Sequence, residues 1–167
     1  MTQTDKAPLP ARTPRLYWED FPPGSVREFG KHTLTREAIV RFASEFDPQP
    51  FHLDEAAAEA SLFGALSASG WHTCALVMRM MCDDFLLDSA SLGSPGLDHI
   101  KWLKPVLVGD TLRVRLQVQE ARPMASRPHV GLVRFEWQAF NQKSEPVLTM
   151  QGWNMFTRRE SAAAAAP

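Results

Sequence analysis

Apolar residues recur along the chain with two different periods, and the change from one to the other divides it. From Thr35 to Phe46, Ile39, Phe42, Ala43 and Phe46 fall at i, i+3, i+4 and i+7. That is the stripe of an amphipathic helix, with Thr35 placed to cap it. Asp54 can cap a short Ala-rich helix running through residue 60. From Ser67 to Leu87 the apolar residues Cys74, Ala75, Leu76, Val77, Met78, Met80 and Met81 point in nearly every direction around a helix. A helix apolar on all sides belongs in the middle of a protein.

Beyond residue 110 the period becomes two. Leu112, Val114, Leu116 and Val118 alternate with Arg113, Arg115, Gln117 and Gln119, and Val133, Phe135, Trp137 and Ala139 alternate with Arg134, Glu136 and Gln138. Each run predicts a half-buried antiparallel strand. Asn141 to Glu145 supplies a turn and Val147 to Phe156 a further strand; Leu97 to Leu103 is a weaker one, joined to Thr111 through PVLVGD, whose Gly109-Asp110 suits a turn. One buried helix followed by antiparallel strands predicts an α+β domain, a sheet wrapped around that helix. Periodicity alone does not choose among such topologies.

A chain of 167 residues suits one domain with one core. Lys plus Arg number 18 against 19 for Asp plus Glu, so no net field recruits nucleic acid or an anionic membrane. The longest apolar stretch, residues 74 to 82, is interrupted by Arg79 and too short to span a bilayer, and the N-terminus carries charges and prolines where a signal peptide needs an apolar run. Cys74 and Cys82 lie eight residues apart in one helical pattern. That separates them by roughly 12 Å, too far for a disulfide, and predicts free thiols in a reducing compartment such as the cytoplasm. Residues 1–14, rich in Pro and Thr, and the Ala-rich residues 159–167 read as loose ends of a domain at 15–158.

The chemistry concentrates in FDPQPFHLD, residues 46 to 54. Pro48 and Pro50 push Asp47 and Gln49 out of helical geometry, so the preceding helix ends near Phe46 and a stiff segment follows. A carboxylate and an imidazole facing one water form a general acid/base pair. Fully extended, the five steps from Asp47 to His52 would separate the two Cα atoms by roughly 15 Å. A shared water therefore requires a turn here with the side chains converging. Without one, Asp47 is a turn cap and His52 an ordinary loop residue.

In its motifs the sequence resembles the MaoC-like dehydratase family, which includes the R-specific enoyl-CoA hydratases and has the hotdog fold. That family's signature, a helix end followed by Asp-x-Asn-Pro-x-His-x-Asp, is matched by FASEFDPQPFHLD; its central-helix Gly by SASG before WHTCALVMRMM; its Pro-Val…Gly-Asp hairpin by LDHIKWLKPVLVGDTLRV. The resemblance covers about residues 17 to 157. Gln49 stands where the family usually has Asn, and Phe46 where Gly commonly precedes the Asp. A longer amide and a bulky ring are expected to narrow the water site or change which acyl groups fit.

The resemblance implies a hydro-lyase that adds or removes water across the 2,3 bond of an acyl-CoA thioester. It implies Asp47 and His52 as the catalytic pair, with Gln49, Phe51 and Trp71 against the substrate. It further implies no bound cofactor or metal, and a homodimer with the acyl tunnel at its interface. Gly70 completes the expected site on physical grounds. Negative charge builds on the thioester oxygen as the β-carbon is attacked, and the first turn of the Gly70 helix offers unpaired N–H groups with no side chain in the way.

His72 reads as a polar residue at the helix entrance, Asp83 and Asp84 as the exposed far end of that helix, and the Met-rich run as core. His32, His99 and His129 are scattered without metal-ligand grouping. Two other classes stay open. A thioesterase on the same fold would need an acid near the start of the central helix, where Trp71 to Ala75 supply none. A non-catalytic acyl-binding subunit would have Phe46 in the water site or the Asp47 and His52 side chains pointing apart.

Overall fold

The computed structural model describes residues 13–159, so most of the loose segment expected at 1–14 and of the tail expected at 159–167 lies outside the described residues. At the boundary Arg159 is tied down: its N–H donates to the Glu19 carboxylate and its guanidinium to Asp20 Oδ2 at 2.6 Å.

Strand β1 (Val26–Thr33) comes first, followed by three helices: α1 (Arg36–Phe46), α2 (Pro50–Leu53) and α3 (Glu55–Glu59). The long helix α4 (Gly70–Asp84) precedes β2 (Ser91–Trp102), β3 (Thr111–Met124), β4 (Arg127–Phe140) and β5 (Pro146–Thr157). The caps are those expected. Thr35 Oγ1 accepts from the Ala38 N–H and Asp54 Oδ1 from the Ala57 N–H. Each satisfies a backbone donor that the first helical turn leaves unpaired.

The five strands form one antiparallel sheet in the order β1-β3-β4-β5-β2. Alternation decides its inner face: Leu112, Val114, Leu116 and Val118 of β3 and Val133, Phe135, Trp137 and Ala139 of β4 are all buried. Leu76, Val77, Met80 and Met81 of α4 join them in one core with Met150 and Phe156 of β5. The sheet thus wraps around α4, the α+β arrangement that the two periods predict.

Two strands differ from the expectation. β1 carries no clean alternation because only Phe29 of its eight residues is buried. β2 starts six residues before Leu97, in a stretch with Gly93, Pro95 and Gly96 where the register against β5 shifts repeatedly. Glycine and proline are tolerated there because β2 is an edge strand. Helix α4 also departs from a fully enclosed rod. Trp71 and Met78 are 58% and 50% exposed, so one of its faces is open in the single chain. Among the described residues no helix is long and apolar enough to cross a membrane.

Candidate active site

The segment after α1 folds back instead of extending. The Asp47 N–H closes α1 on the Ala43 carbonyl at 2.9 Å, and the Gln49 N–H then returns to the Asp47 carbonyl at 2.7 Å, a tight turn around Pro48. Gln49 precedes a single helical turn, α2, with Pro50 at its first position, where a missing N–H costs nothing. The His52 and Asp54 N–H groups accordingly bond the Gln49 and Pro50 carbonyls, both at 2.9 Å. Two bends in five residues bring His52 Nε2 to 3.6 Å from Asp47 Oδ2. The convergence that shared use of a water requires is present.

Both groups are shielded, with side-chain exposure of 6% for His52 and 18% for Asp47. His52 Nδ1 lies 2.7 Å from the Ser67 carbonyl oxygen, which can only accept, so Nδ1 carries the proton and the neutral ring's lone pair is on Nε2. The Asp47 carboxyl is held on both sides: Gln49 Nε2 donates to Oδ1 at 2.7 Å and Ser69 Oγ to Oδ2 at 2.6 Å. Burial pushes its pKa up, but the hydrogen bonds from Ser69 and Gln49, with the charge of His52, together outweigh it and leave the group below its ordinary value. Asp47 is a carboxylate, and whenever the His52 ring is neutral its Nε2 faces that carboxylate as a second acceptor.

The third element is the start of α4. Ser69 caps the helix through its hydroxyl, accepting from the Trp71 N–H at 3.2 Å. No described residue accepts a hydrogen bond from the Gly70 N–H. Gly70 also admits a close neighbour: a Cβ there would lie 2.5 Å from the Trp102 ring.

One cleft of about 380 Å³ joins these parts. All six residues expected from the sequence (Asp47, Gln49, Phe51, His52, Gly70 and Trp71) line it. The Phe51 ring stands edge-on to the His52 imidazole with centroids 4.6 Å apart, and Trp71 meets Trp102 at 5.4 Å. Phe46 is not among the lining residues. Its ring turns outward, 64% exposed, and packs on Phe42 at 5.0 Å. Gln49 lines the cleft, and its side-chain amide bonds Asp47.

The sequence did not single out the rest of the lining, in which Ser69, Trp102 and Phe63 stand beside the expected residues. Ser69 had a usable signal, since serine directly before a helix is a capping residue. Trp102 and Phe63 had none, because their approach to the cleft depends on how distant segments pack. His72 lies close by in sequence but points elsewhere. It is buried, stacked flat on Phe42 with centroids 4.5 Å apart and 5° between planes.

Known proteins carry the same architecture. The model of the MaoC like domain matches residues 20–136. The MaoC-like dehydratase from Rhodospirillum rubrum superposes with a TM-score of 0.80 at 40% identity, covering 86% of this chain and 98% of that one. Among curated relatives, the uncharacterized protein YdeM of Bacillus subtilis is 28% identical over 129 residues, 77% of this chain and 90% of its own. The 3-hydroxybutyryl-CoA dehydratase of Methylorubrum extorquens is 30% identical over 121 residues, 70% of this chain and 72% of its own. The fold is the hotdog fold, and the matched span takes in both sides of the cleft, the 47–52 turn and the start of α4. This chain belongs to the MaoC-like family of hydratases and dehydratases.

Proposed function

We propose that this protein is a hydro-lyase that adds water across, or removes it from, the 2,3 bond of an acyl-CoA thioester. The observation that carries this is the approach of Asp47 Oδ2 and His52 Nε2 to 3.6 Å inside a cleft that Gly70 also lines. Two acceptors so placed each take a hydrogen bond from one water and raise its nucleophilicity. In the hydration direction the water oxygen bonds to the β-carbon while one of the pair takes its proton. The C=C electrons shift to the thioester oxygen, where the Gly70 N–H and the positive end of α4 stabilise them. The proton then passes from the pair to the α-carbon, so H and OH are added and the site returns to its starting state. CoA arrives with the substrate and no bound cofactor takes part.

The outward direction of Phe46 and the convergence of the pair weigh against a non-catalytic subunit. The absence of an acid in Trp71 to Ala75 weighs against a thioesterase. Cys74 and Cys82 are both free thiols, in keeping with a reducing compartment such as the cytoplasm. We further propose a homodimer, with a second copy covering the open face of α4 and the exposed apolar residues of edge strand β2.

Crotonyl-CoA hydration, followed by loss of the enoyl thioester absorbance, tests the assignment. Asp47→Asn and His52→Ala should each lose about 10³-fold or more in kcat with unchanged circular dichroism. Wild-type turnover in both variants would refute it. Release of free CoA, read with a thiol reagent, would instead identify a thioesterase.

A further inference from the structure

Ser69 is 1% exposed and stands one residue before the Gly70 amide. Its hydroxyl makes two contacts of opposite sense. It accepts from the Trp71 N–H at 3.2 Å, and its single proton goes to Asp47 Oδ2 at 2.6 Å, across 22 residues of sequence. One oxygen thus bridges the carboxylate to the helix end that offers the Gly70 N–H. Gln49 holds the other carboxylate oxygen but comes from the same turn as Asp47, so it cannot link that turn to α4. Capping alone explains the bond to Trp71, and it does not explain why the hydroxyl proton is spent on an acid from another segment.

We infer that Ser69 is a positioning residue: it holds Asp47 as an ionised carboxylate aimed at the reacting water and locks it to the Gly70 amide, so that the two move as one unit. This rests on the hydratase reading above. The arrangement has a physical purpose. The β-carbon that the water attacks and the thioester oxygen are three bonds apart in one substrate, so the groups that serve them must keep their spacing, and displacement by about 1 Å can cost two orders of magnitude in rate. A short charge-assisted hydrogen bond is the strong kind of tie. His52 is the titratable group that faces Asp47 across the cleft. Lys104, also on the cleft wall, is committed to Glu145 at 2.6 Å.

Ser69→Ala, Ser69→Gly and Ser69→Cys test this with two readouts. Glycine caps a helix almost as well as serine, which separates loss of the cap from loss of the bond to Asp47. Cysteine keeps the approximate volume but donates weakly. In all three variants kcat for 2-enoyl-CoA hydration should fall by about 10- to 100-fold, the worth of one hydrogen bond to a charged group, with KM moving less. The acid limb of the pH profile should move to higher pH, because the hydrogen bond that favours the ionised carboxyl is lost. The second readout needs no turnover: the titration of the Asp47 carboxyl carbon, followed by 13C NMR, should move in the same direction. Wild-type kcat in the cysteine variant, or an Asp47 titration unchanged in the alanine and glycine variants, overturns the inference. Should the wild-type protein hydrate no 2-enoyl-CoA at all, the proposed reaction falls, while the NMR titration still decides whether Ser69 governs Asp47.

Discussion

A histidine in the first turn of a helix reads as a polar entrance residue, yet His72 is only 7% exposed and lies flat against Phe42. Its Nδ1 is buried without a hydrogen-bond partner among the described residues. Burial first, with the nearby His32 and Arg41 adding to it, pushes its pKa down from 6.5 to about 4. Between those two values the unfolded chain binds a proton that the folded one refuses, so stability falls as the pH drops from 6.5 towards 4. Acidification from pH 7 to about pH 4.5 should therefore cost about 2 kcal/mol through this residue alone, allowing for partial solvent access. Urea unfolding across that range checks it. His72→Phe, which keeps a ring on Phe42, should flatten the profile, and an equally steep loss in the variant would assign it elsewhere. At the same scale, the types and spacing of Asp47 and His52 were legible in sequence, whereas Ser69 was legible only as a cap. Its bond to Asp47 spans 22 residues and leaves no local pattern.

Elements follow the chain's periodicity where one face is buried and depart from it where it is not. α1, α4, β3, β4 and β5 have clear apolar stripes and appear where expected, although β4 begins six residues before Val133 and β3 runs five beyond Gln119. β1 escapes because charged residues and a bulge occupy most of it: its pairing with β3 shifts register between Phe29 and His32. At that bulge Gly30 has φ +82°, and a Cβ there would lie 2.3 Å from Met80 Sδ in α4. Gly30→Ala should thus be penalised twice, by the left-handed backbone and by overpacking, for about 2–4 kcal/mol in all. Gly24→Ala is the control, with φ +85° and nothing within 4 Å of its would-be Cβ. It should cost only the backbone part, about 1–2 kcal/mol. Equal losses of stability on urea denaturation would mean that β1 and α4 are not packed this tightly.

Over the whole molecule, two elements carry several exposed large apolar residues each. Trp71 and Met78 of α4 and Leu92, Leu97 and Trp102 of β2 are each at least 45% exposed, and β2 hydrogen-bonds only β5. A helix whose sequence is apolar in nearly every direction but whose chain covers only part of it is short of a cover, which in the proposed homodimer a second copy would supply by pairing the same surface with itself. Met78→Lys should leave the single chain folded, since the side chain is already half exposed, but shift sedimentation from dimer to monomer. A dimer of unchanged affinity in that variant would place the interface elsewhere. Full activity of a dilute wild-type monomer would remove the need for one.

By itself the sequence determined the order of the elements other than β1 and α2, the caps at Thr35 and Asp54, the two inner faces and the residue types of the proposed acid/base pair. Each of these is written in spacing over a few residues, where burial of one face imposes a period. Only the tertiary structure decided that Asp47 and His52 turn towards each other, that Phe46 swings out of the cleft, that Gln49 braces the carboxylate, and that Ser69 ties it to α4. Those outcomes depend on backbone torsions around two prolines and on contacts between segments far apart in the chain. A one-residue change of bend reverses where a side chain points while leaving every local period intact.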